Sequence, residues 1–359
     1  MKYEFFVLLI ILYNKIFNIN YSNYNFIFLM KKNLSIVIAT INEENNINKL
    51  FKEIKRNLED IDLNWEIIFI DDSQDSKTSN AINKLRNIED NIHLIKRFEN
   101  KGLSSALTLG ALSSNAEYIV FMDADLQHPP EKIKDLYQKI NNNNLDLVSA
   151  SRFIEKNKFL NKKRYRASFF VNYILKKLFK INYSDVLTGF FIINKEFFHK
   201  NYKNFSLRGF KLLLDIILST KNSIKYSEIT FQFQKRYSGE SKLNFKVVID
   251  FIELIIDKLF GKLRLGKYVI NSTIITFIAT FQFFTFYILH LLLSFQYSLI
   301  LSIFMTIIFN FIINNETTYS GMKKRGKYFY TGLIKFYFFC FFGSICNFFL
   351  AKYLFDNFF

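Results

Sequence analysis

Between residues 118 and 127 the sequence reads Tyr-Ile-Val-Phe-Met-Asp-Ala-Asp-Leu-Gln, an apolar run that ends in two aspartates separated by one residue. A short, unbroken apolar run is typical of a strand that is buried on both faces of a sheet. The same arrangement occurs twice upstream, where Leu34–Ala39 is followed by Thr40-Ile-Asn-Glu43 and Glu66–Ile70 is followed by Asp71-Asp72. Three predicted strands therefore end in polar side chains.

Predicted helices separate these strands, and the alternation indicates an α/β domain built on a mostly parallel, Rossmann-like sheet. Ligands of such sheets bind beyond the carboxyl ends of the strands. Only Gly102 and Gly110 precede residue 150, so the glycine-rich phosphate loops of dinucleotide-binding and P-loop proteins are absent. A nucleotide bound here would need a metal to hold its phosphates. Further strands are predicted at His93–Lys96 and Asp146–Ala150, and helices at Glu44–Leu58, Lys77–Asn87, Gly102–Ser114 and Pro129–Asn141.

The sharpest chemical signal is the set Asp123, Asp125 and Gln127, because Mg²⁺ and Mn²⁺ prefer oxygen ligands and bridge to substrate phosphates. The competing interpretation is a turn that caps the helix after it. Asp72 and Glu43 follow neighbouring strands, and we expect them to accept hydrogen bonds from a base or a ribose. Ordinary loop capping is the alternative for these two.

The candidate phosphate-binding residues are Arg152, Arg164, Arg166 and Arg236, because a guanidinium group binds phosphate through paired hydrogen bonds and stays charged. In a chain of net charge +17, ordinary surface arginines are the alternative. We attribute the lysine excess to compositional bias and to an anionic membrane surface, and expect no nucleic-acid partner. The only two cysteines lie in a late apolar run, so neither a disulfide framework nor a zinc site is expected.

The last third of the sequence has a different composition, because it is rich in Phe, Ile, Leu and Tyr and contains few charged residues. Apolar runs at 268–290, 294–313 and 331–351 approach the roughly 20 residues that a spanning helix needs, and predict three membrane helices. The loop before the third run is basic at 323–327, whereas the loop after the first is uncharged. The positive-inside rule then places the basic loop and the catalytic domain on the cytoplasmic side of the membrane.

A predicted amphipathic helix from Asn244 to Phe260 precedes these runs and is expected to lie in the membrane interface. Its acidic residues Asp250, Glu253 and Asp257 fall on one stripe, which we interpret as a solvent-facing edge. The predicted organisation is a leader at 1–32, a catalytic domain at 33–243, interfacial helices at 244–266 and a membrane domain at 267–359. The alternative is that translation starts at Met30, in which case most of the leader is not part of the protein.

Taken together, the motifs resemble those of family 2 glycosyltransferases, and within them the dolichyl- and polyprenyl-phosphate mannose and glucose synthases. They follow one another in the family's order. The tail resembles a GtrA-type membrane domain, most clearly at Phe309-Asn-Phe-Ile-Ile-Asn-Asn315. The matching motifs are Ala39-Thr-Ile-Asn-Glu43, Ile70-Asp-Asp-Ser73, Asn100-Lys-Gly-Leu103, Met122-Asp-Ala-Asp-Leu-Gln-His-Pro-Pro-Glu131, Ala150-Ser-Arg152, Asp185-Val-Leu-Thr-Gly-Phe190 and Arg236-Tyr-Ser-Gly-Glu-Ser-Lys242.

The resemblance implies a GT-A fold and inverting transfer of one hexose from GDP-mannose, or alternatively UDP-glucose, to polyprenyl or dolichyl phosphate. The chain departs from the family pattern at Ala39, where relatives often have Pro, and at Ile41, where many have an aromatic residue. Arg164 is carried over by its spacing to Ser168 and Asn172, and Arg166 remains its rival. The implied sets are Ala39, Thr40, Asn42, Glu43, Asp72, Asp123, Ala124 and Asp125 for the nucleotide-sugar; Asp123, Asp125 and Gln127 for Mg²⁺ or Mn²⁺; and Arg152, Arg164, Arg236 and Lys242 for the acceptor phosphate, with Asp123, Asp125, Arg152, Arg164 and Arg236 as the catalytic group.

Two other functions compete with single-sugar transfer. Processive polysaccharide synthases usually carry a QxxRW motif, but here the comparable segment Gln232–Ser238 has no Trp, and the only Trp is Trp65. A non-catalytic membrane protein that helps to translocate lipid-linked sugar is the second alternative. The intact aspartate pair and the arginines favour an enzyme.

A fourth membrane helix, expected for a GtrA-type tail, is not evident in the sequence.

Overall fold

The computed structural model describes residues 32–99, 101–153, 162–207, 209–220, 224–239, 245–261, 265–316, 324 and 326–358. The chain divides into two compact units, of which the first ends at Lys242 and the second begins at Leu243. The amino-terminal unit contains all the strands of the described residues, and the carboxyl-terminal unit is helical throughout them.

A single seven-stranded sheet organises the amino-terminal unit, with the strand order β3-β2-β1-β4-β6-β5-β7. All neighbouring strands pair in parallel except the short β6, which runs antiparallel to both β4 and β5. The prediction of a mostly parallel α/β sheet is confirmed. The strands are β1 (Lys32–Thr40), β2 (Trp65–Asp71), β3 (Ile92–Lys96), β4 (Ala116–Asp123), β5 (Leu147–Ser151), β6 (Phe191–Asn194) and β7 (Tyr226–Thr230).

Helices cover the sheet because their apolar residues recur at helical spacing. In the helix Glu44–Leu58 the residues Ile47, Leu50 and Ile54 are fully buried, and they pack with the buried residues of the central strands. Gly110 lets its helix approach the sheet closely, since an added Cβ would lie 2.4 Å from Val37 Cγ1. The helices of this unit are α1 (Glu44–Leu58), α2 (Lys77–Arg86), α3 (Leu103–Ser113), α4 (Lys132–Asn142), α5 (Lys162–Phe179), α6 (Lys195–Asn201) and α7 (Leu212–Ser219), with a 3₁₀ turn at Tyr202–Asn204.

One predicted helix boundary is wrong. The sequence places Pro129 in the first turn of α4, but the helix begins at Lys132 with Glu131 as the residue before it. The two prolines instead form the preceding turn, in which the Pro129 and Pro130 carbonyls accept the backbone N–H groups of Lys132 and Ile133 at 3.1 and 3.0 Å. This turn fixes how the chain leaves the aspartate pair at the end of β4.

The carboxyl-terminal unit begins with α8 (Phe245–Phe260) and continues with α9 (Gly266–His290), α10 (Phe295–Glu316) and α11 (Lys327–Phe358). In the described part of the chain these last three are the helices long and apolar enough to cross a membrane. Each predicted run therefore lies within one helix, and α11 extends well beyond the predicted 331–351. Their length and composition indicate that the protein associates with a membrane.

The acidic stripe of α8 does not form the solvent-facing edge that the sequence suggested. Asp257 is buried, and its Oδ1 accepts the Gly266 backbone N–H at 2.7 Å, so that it caps the first turn of α9. A Cβ on Gly266 would lie 2.4 Å from the Glu253 carbonyl oxygen, so only glycine permits this contact. Val248 and Ile252 are instead exposed. Asp250 and Glu253 are half-buried, and the exposed Val248 and Ile252 give the helix an apolar outer surface, as a membrane-facing helix would have.

Candidate active site

The carboxyl edge of the sheet brings the predicted nucleotide and metal residues together. Because β1 lies between β2 and β4, Ala39 is opposite both Ile70 and Asp123, and the next residue, Thr40, is opposite Asp71. Parallel strands lie about 4.8 Å apart, so the register holds these positions side by side. The two halves of the predicted site therefore meet at β1.

Asp123 and Asp125 differ in environment although one residue separates them. The side chain of Asp123 is 44% exposed, whereas Asp125 is buried and accepts the Gln127 backbone N–H at 3.0 Å. The chain turns directly after Asp125, at Leu126, which has a left-handed φ of 62°. Burial, followed by the neighbouring Asp123 carboxylate, raises the pKa of Asp125. Two carboxylates held this close favour a bound cation.

Arg236 provides a cation at this position. Its Nη2 lies 3.1 Å from Asp125 Oδ2 and donates a 3.3 Å hydrogen bond to Gln127 Oε1. The segment Phe231–Gly239, here called the strap, also hydrogen-bonds to the aspartate turn through its backbone. The Gln234 N–H donates to the Gln127 carbonyl and the Tyr237 N–H to the Asp125 carbonyl, both at 3.1 Å. A guanidinium thus bridges two of the three predicted metal ligands.

The oxygen set of Asp123, Asp125 and Gln127 fits Mg²⁺ or Mn²⁺ in chemistry. These ions take carboxylate and amide oxygens and leave positions for substrate phosphates. Among the described residues no group of three His, Cys, Asp or Glu side chains forms a metal cage, so any ion held here would depend on the amide and on ligands from the substrate. The bridging Arg236 shows that a positive charge is accommodated at this position.

The nucleotide side is built around an ion pair that the sequence did not predict. Asp72, buried at the end of β2, accepts hydrogen bonds at both carboxylate oxygens from Arg97, and the Gly102 N–H donates to Oδ2 at 3.2 Å. Arg97 Nη2 also donates to the Gly102 carbonyl at 2.9 Å. Asp72 therefore orders the loop after β3, besides any contact that it makes with a base.

The remaining nucleotide candidates line the ends of β1 and β2. Asn42 is exposed with a left-handed φ of 53°, and its N–H donates to Ser73 Oγ at 2.8 Å. Glu43 is buried, and its carboxylate accepts a hydrogen bond from the Asn46 amide. Asp71 is fully buried and accepts hydrogen bonds from Ser73, Ser79 and Lys96, which give it a structural role. The candidates Ala39 and Thr40 end β1, and Ala124 is buried in the aspartate turn.

Arg152 is fixed on the other side of Asp123. It directly follows β5, and its Nε and Nη2 donate to the two carboxylate oxygens of the fully buried Asp185 at 2.6 and 2.9 Å. Nη2 also lies within 3.4 Å of Ser168 Oγ. Asp185 belongs to the turn Asp185–Gly189, and a Cβ on Gly189 would lie 3.5 Å from Asp123 Oδ1. This turn therefore connects the arginine to the aspartate pair.

Two predicted acceptor residues lie outside the described side chains. Arg164 belongs to α5, but the structure describes only its backbone, and Lys242 is outside the described residues altogether. The rival Arg166 is exposed on α5. The assignment of an arginine from this helix to the acceptor phosphate therefore stays a prediction.

Three further charged or titratable groups at this edge were not assigned from the sequence. His128 is almost fully buried, accepts the Asp123 backbone N–H at its Nδ1 over 3.0 Å, and stacks on Phe190. Burial lowers the pKa of His128 to about 4, so it is neutral at pH 7. The others are Asp185, which lay within a matched motif without a role, and Lys211, whose ammonium donates to the Leu187 carbonyl at 2.6 Å.

Comparison with known proteins places this arrangement in a family. The family model described as Glycosyl transferase family 2 matches residues 35–201. A dolichol-phosphate mannosyltransferase from Pyrococcus furiosus is 31% identical over 322 residues, 88% of this chain and 88% of that protein. The Saccharomyces cerevisiae protein of that name is 27% identical over 263 residues, 69% of this chain and 96% of that protein. Among solved structures, glucosyl-3-phosphoglycerate synthase from Mycobacterium tuberculosis, in complex with Mn²⁺ and UDP-Glc, is similar with a TM-score of 0.48 and 15% identity over 63% of this chain and 79% of that one.

The match to the Pyrococcus protein is longer than the amino-terminal unit, so it includes part of the apolar helices as well as the sheet. The resemblance to family 2 enzymes, first drawn from the motifs, is confirmed, and so is a GT-A type domain followed by helices. The GtrA character of the tail stays a prediction. The chain belongs to glycosyl transferase family 2, within it to the dolichol-phosphate mannosyltransferase type, and is a glycosyltransferase.

Proposed function

We propose that this enzyme transfers one hexose from a nucleotide-sugar to the phosphate of a polyprenyl or dolichyl lipid, with inversion at the anomeric carbon. GDP-mannose is the first choice of donor, because the Pyrococcus and Saccharomyces relatives are named as dolichol-phosphate mannosyltransferases. UDP-glucose is the alternative donor. The acceptor assignment is supported by three helices of membrane-spanning length that follow the catalytic unit in the chain.

One observation carries the proposal above all others: Arg152 is held beside the aspartate pair by a buried partner. Asp185 orients the guanidinium through two hydrogen bonds, and the Asp123 carboxylate is near enough to help raise the pKa of Arg152. The side chain of Arg152 is 12% exposed, and its Nη1 is not engaged by Asp185. A positioned cation next to a metal-ligand pair suits an acceptor that is itself an anion.

The chemistry needs no strong general base. A lipid monophosphate is already anionic near neutral pH, so one of its oxygens attacks the anomeric carbon directly. The new C–O bond forms as the bond from that carbon to the nucleoside diphosphate breaks, and the diphosphate leaves with the electron pair. Arg152 binds and orients the acceptor phosphate, while Arg236 on the strap contributes positive charge when the acceptor is bound. The neutral His128 holds the backbone of Asp123 in place.

Asp123, Asp125 and Gln127 would hold Mg²⁺ or Mn²⁺ together with the donor diphosphate. The chemistry that such an ion would supply is neutralisation of the charge that develops on the leaving diphosphate. On the nucleotide side, Asn42, Glu43 and Asp72 are placed to face the base and ribose. Catalysis then depends on bringing two anions together at the edge of the sheet, which is a task for fixed positive charge.

The site of action is proposed to be the cytoplasmic face of a membrane. The argument is the basic loop at 323–327, which shares that side with the catalytic unit under the positive-inside rule. The outward apolar residues of α8 are suited to lie at the interface, where the lipid phosphate is found.

The deciding experiment incubates membranes containing the full-length chain with polyprenyl phosphate and, separately, labelled GDP-mannose, UDP-glucose and UDP-GlcNAc. Label extracted into the lipid phase from GDP-mannose, dependent on Mg²⁺ or Mn²⁺, is the expected result. If label enters the lipid from UDP-glucose alone, the donor is UDP-glucose and not GDP-mannose, and the proposed reaction type stands. Transfer into lipid from none of the three donors would overturn the proposal.

A further inference from the structure

Lys211 is a second cation at the acceptor side of the site. It lies immediately before α7, and its ammonium donates to the Leu187 carbonyl at 2.6 Å. Leu187 is in the turn Asp185–Gly189, whose first residue holds Arg152 and whose last residue is next to Asp123. Lys211 and Arg152 are therefore fixed to the same short turn, beside the carboxylate of Asp123.

The charge of Lys211 is poorly compensated. An ammonium group has three N–H donors, and among the described residues the neutral Leu187 carbonyl accepts one. The ammonium also lies 4.7 Å from the centroid of the Phe210 ring, whose face attracts a cation but supplies no anionic charge. No carboxylate of the described chain forms an ion pair with it. Lys211 as a whole is half-buried. Burial, followed by the charge of Arg152, lowers the pKa of Lys211 to about 8, and Asp123 and Asp185 act in the opposite direction. It is still mostly protonated at pH 7.

An unpaired buried cation is costly to keep, so its position calls for a partner. The neighbouring charges indicate which kind. Asp185 is already occupied by Arg152, and Asp123 belongs to the metal-ligand pair. Apart from the Leu187 carbonyl and the Phe210 ring face, no group in the described part of the chain engages the ammonium of Lys211, so it can donate to a bound anion. Next to Arg152, a group with several anionic oxygens satisfies both cations at once.

We infer that Lys211 is a substrate-binding residue that contacts the acceptor phosphate together with Arg152, the arginine held by the first residue of the Asp185–Gly189 turn and the lysine by its middle residue, Leu187. The inference rests on the proposed function, because it assumes that the acceptor is a phosphomonoester. The lysine contributes a point charge with free rotation, whereas Arg152 contributes a planar group fixed by Asp185. The pair thus holds the phosphate and orients the attacking oxygen.

The chain provides a matched control for this lysine. Lys195 is also half-buried, and its ammonium also donates to a backbone carbonyl, that of Ser114, at 2.6 Å. It follows the carboxyl end of the antiparallel β6, where Asn194 pairs with Tyr118 near the start of β4. Lys195 therefore lies at the edge of the sheet opposite the aspartate pair. A substitution there reproduces the loss of a buried lysine without touching the site.

The experiment uses the full-length enzyme in detergent and compares K211M, K211Q, K211R and K195M. In K211M, KM for polyprenyl phosphate should rise by roughly tenfold or more, as expected for the loss of one charge-assisted hydrogen bond. Affinity for the nucleotide-sugar, measured by calorimetry with a divalent metal, should be unchanged. K211R should recover part of the loss, and K195M should leave KM at the wild-type value.

Each other result counts against the inference. An unchanged acceptor KM in folded K211M, or weaker donor binding in place of weaker acceptor binding, would overturn it. If K211M and K211Q both failed to fold while K195M folded, the lysine would be structural and the inference wrong. A wild-type enzyme that transfers no sugar to polyprenyl phosphate from any donor would instead overturn the proposed function, and this arm is measured first.

Discussion

At the scale of single residues, Asp125 is held more tightly than Asp123, its partner in the aspartate pair. Asp125 is buried, and its Oδ1 accepts a hydrogen bond from the backbone N–H of Gln127 at 3.0 Å. Its other carboxylate oxygen, Oδ2, pairs with Arg236. Asp123 is much more exposed, so it can approach a phosphate-bound ion freely. In the proposed metal site the two aspartates would therefore have different tasks, and the inner one, Asp125, would set the geometry.

D125N should abolish metal-dependent transfer while leaving the fold intact. The amide keeps the shape of the side chain but loses the charge, and turnover should fall at least about a hundredfold, the scale seen when one electrostatic stabiliser is removed. Binding of Mn²⁺ followed by electron paramagnetic resonance should weaken in parallel. D135N is the control, since Asp135 is exposed on α4 and pairs with Lys132 at 2.7 Å. Unchanged turnover in D125N would show that the metal residues are wrongly assigned.

The buried imidazole of His128 makes stability depend on pH in a predictable direction. Burial lowers the pKa of His128 to about 4, below the unfolded value of 6.5. Between these values the unfolded chain binds more protons, so stability rises with pH and is lost as pH falls from 6.5 towards 4. By pH 5 the loss should be roughly 2 kcal/mol.

Unfolding of the full-length protein, followed at pH 7 and pH 5 for wild type and H128Q, measures this contribution. The variant is expected to be less stable at pH 7, because the stacking on Phe190 is lost, but to depend less on pH. Equal pH dependence in the two proteins would mean that His128 does not titrate as its burial requires.

At the scale of elements, the sequence predicted five of the seven strands of the described residues, β1 to β5. The continuous apolar runs of β1, β2 and β4 gave the clearest signal, and the predicted acidic residues lie at or just after their carboxyl ends. β6 has only four residues and β7 reads Tyr-Ser-Glu-Ile-Thr, so neither has a periodic apolar signal. Only the register of the folded sheet identifies them.

The site residues that the sequence did not predict fall into two groups, those that follow a strand and those that reach the site only through tertiary packing. Arg97 directly follows β3, as Asp72 follows β2, so the rule of strand ends would have identified it. Lys211 had no such signal, because it precedes a helix far along the chain and reaches the site only through the turn at Leu187. Local pattern predicts strand-end residues, whereas residues brought in by tertiary packing require the structure.

If Asp125 and Gln127 hold a divalent ion as proposed, the strap is the element whose contacts would change during the reaction. Arg236 contacts Asp125 and Gln127, the same oxygens that a divalent ion would take. The strap is also held by a hydrogen bond from Asn46 Nδ2 to the Ser238 carbonyl at 3.3 Å and by Lys49 packing over the Tyr237 ring. Metal binding and release of Arg236 are therefore coupled in this arrangement.

R236Q should bind Mn²⁺ more tightly than the wild type yet turn over more slowly. Removal of the guanidinium frees the metal oxygens, but it also removes a cation that is proposed to meet the acceptor phosphate. Titrations at mildly alkaline pH keep Asp125 ionised in both proteins. K235Q, an exposed neighbour on the strap, should match the wild type in both measurements. Weaker Mn²⁺ binding in R236Q would contradict the competition.

At the scale of the whole molecule, the membrane helices determine where the enzyme can work. The helices α9, α10 and α11 are apolar over most of their surfaces, and large side chains such as Phe283 and Phe339 are exposed. Such surfaces are stable only in lipid or detergent. The proposed acceptor is also a lipid, so anchoring confines enzyme and acceptor to the same two-dimensional surface.

Full-length protein in membranes should resist extraction by alkaline carbonate, whereas a chain ending after α8 should be extracted. In sealed vesicles of known orientation, protease added on the cytoplasmic side should cleave both the catalytic unit and the loop that contains Lys324. Protection of one and cleavage of the other would contradict the shared side that the positive-inside rule assigns to them.

The contact of Arg236 with Asp125 and Gln127 has a consequence for the life of the protein between reactions. Because the chain supplies its own positive charge to the buried carboxylate, the fold should not depend on metal in the way that a zinc finger does. A chelator would then silence the enzyme without unfolding it, and restored metal would return full activity. A shortage of the ion would therefore stop sugar transfer reversibly, and it would not produce unfolded protein for degradation.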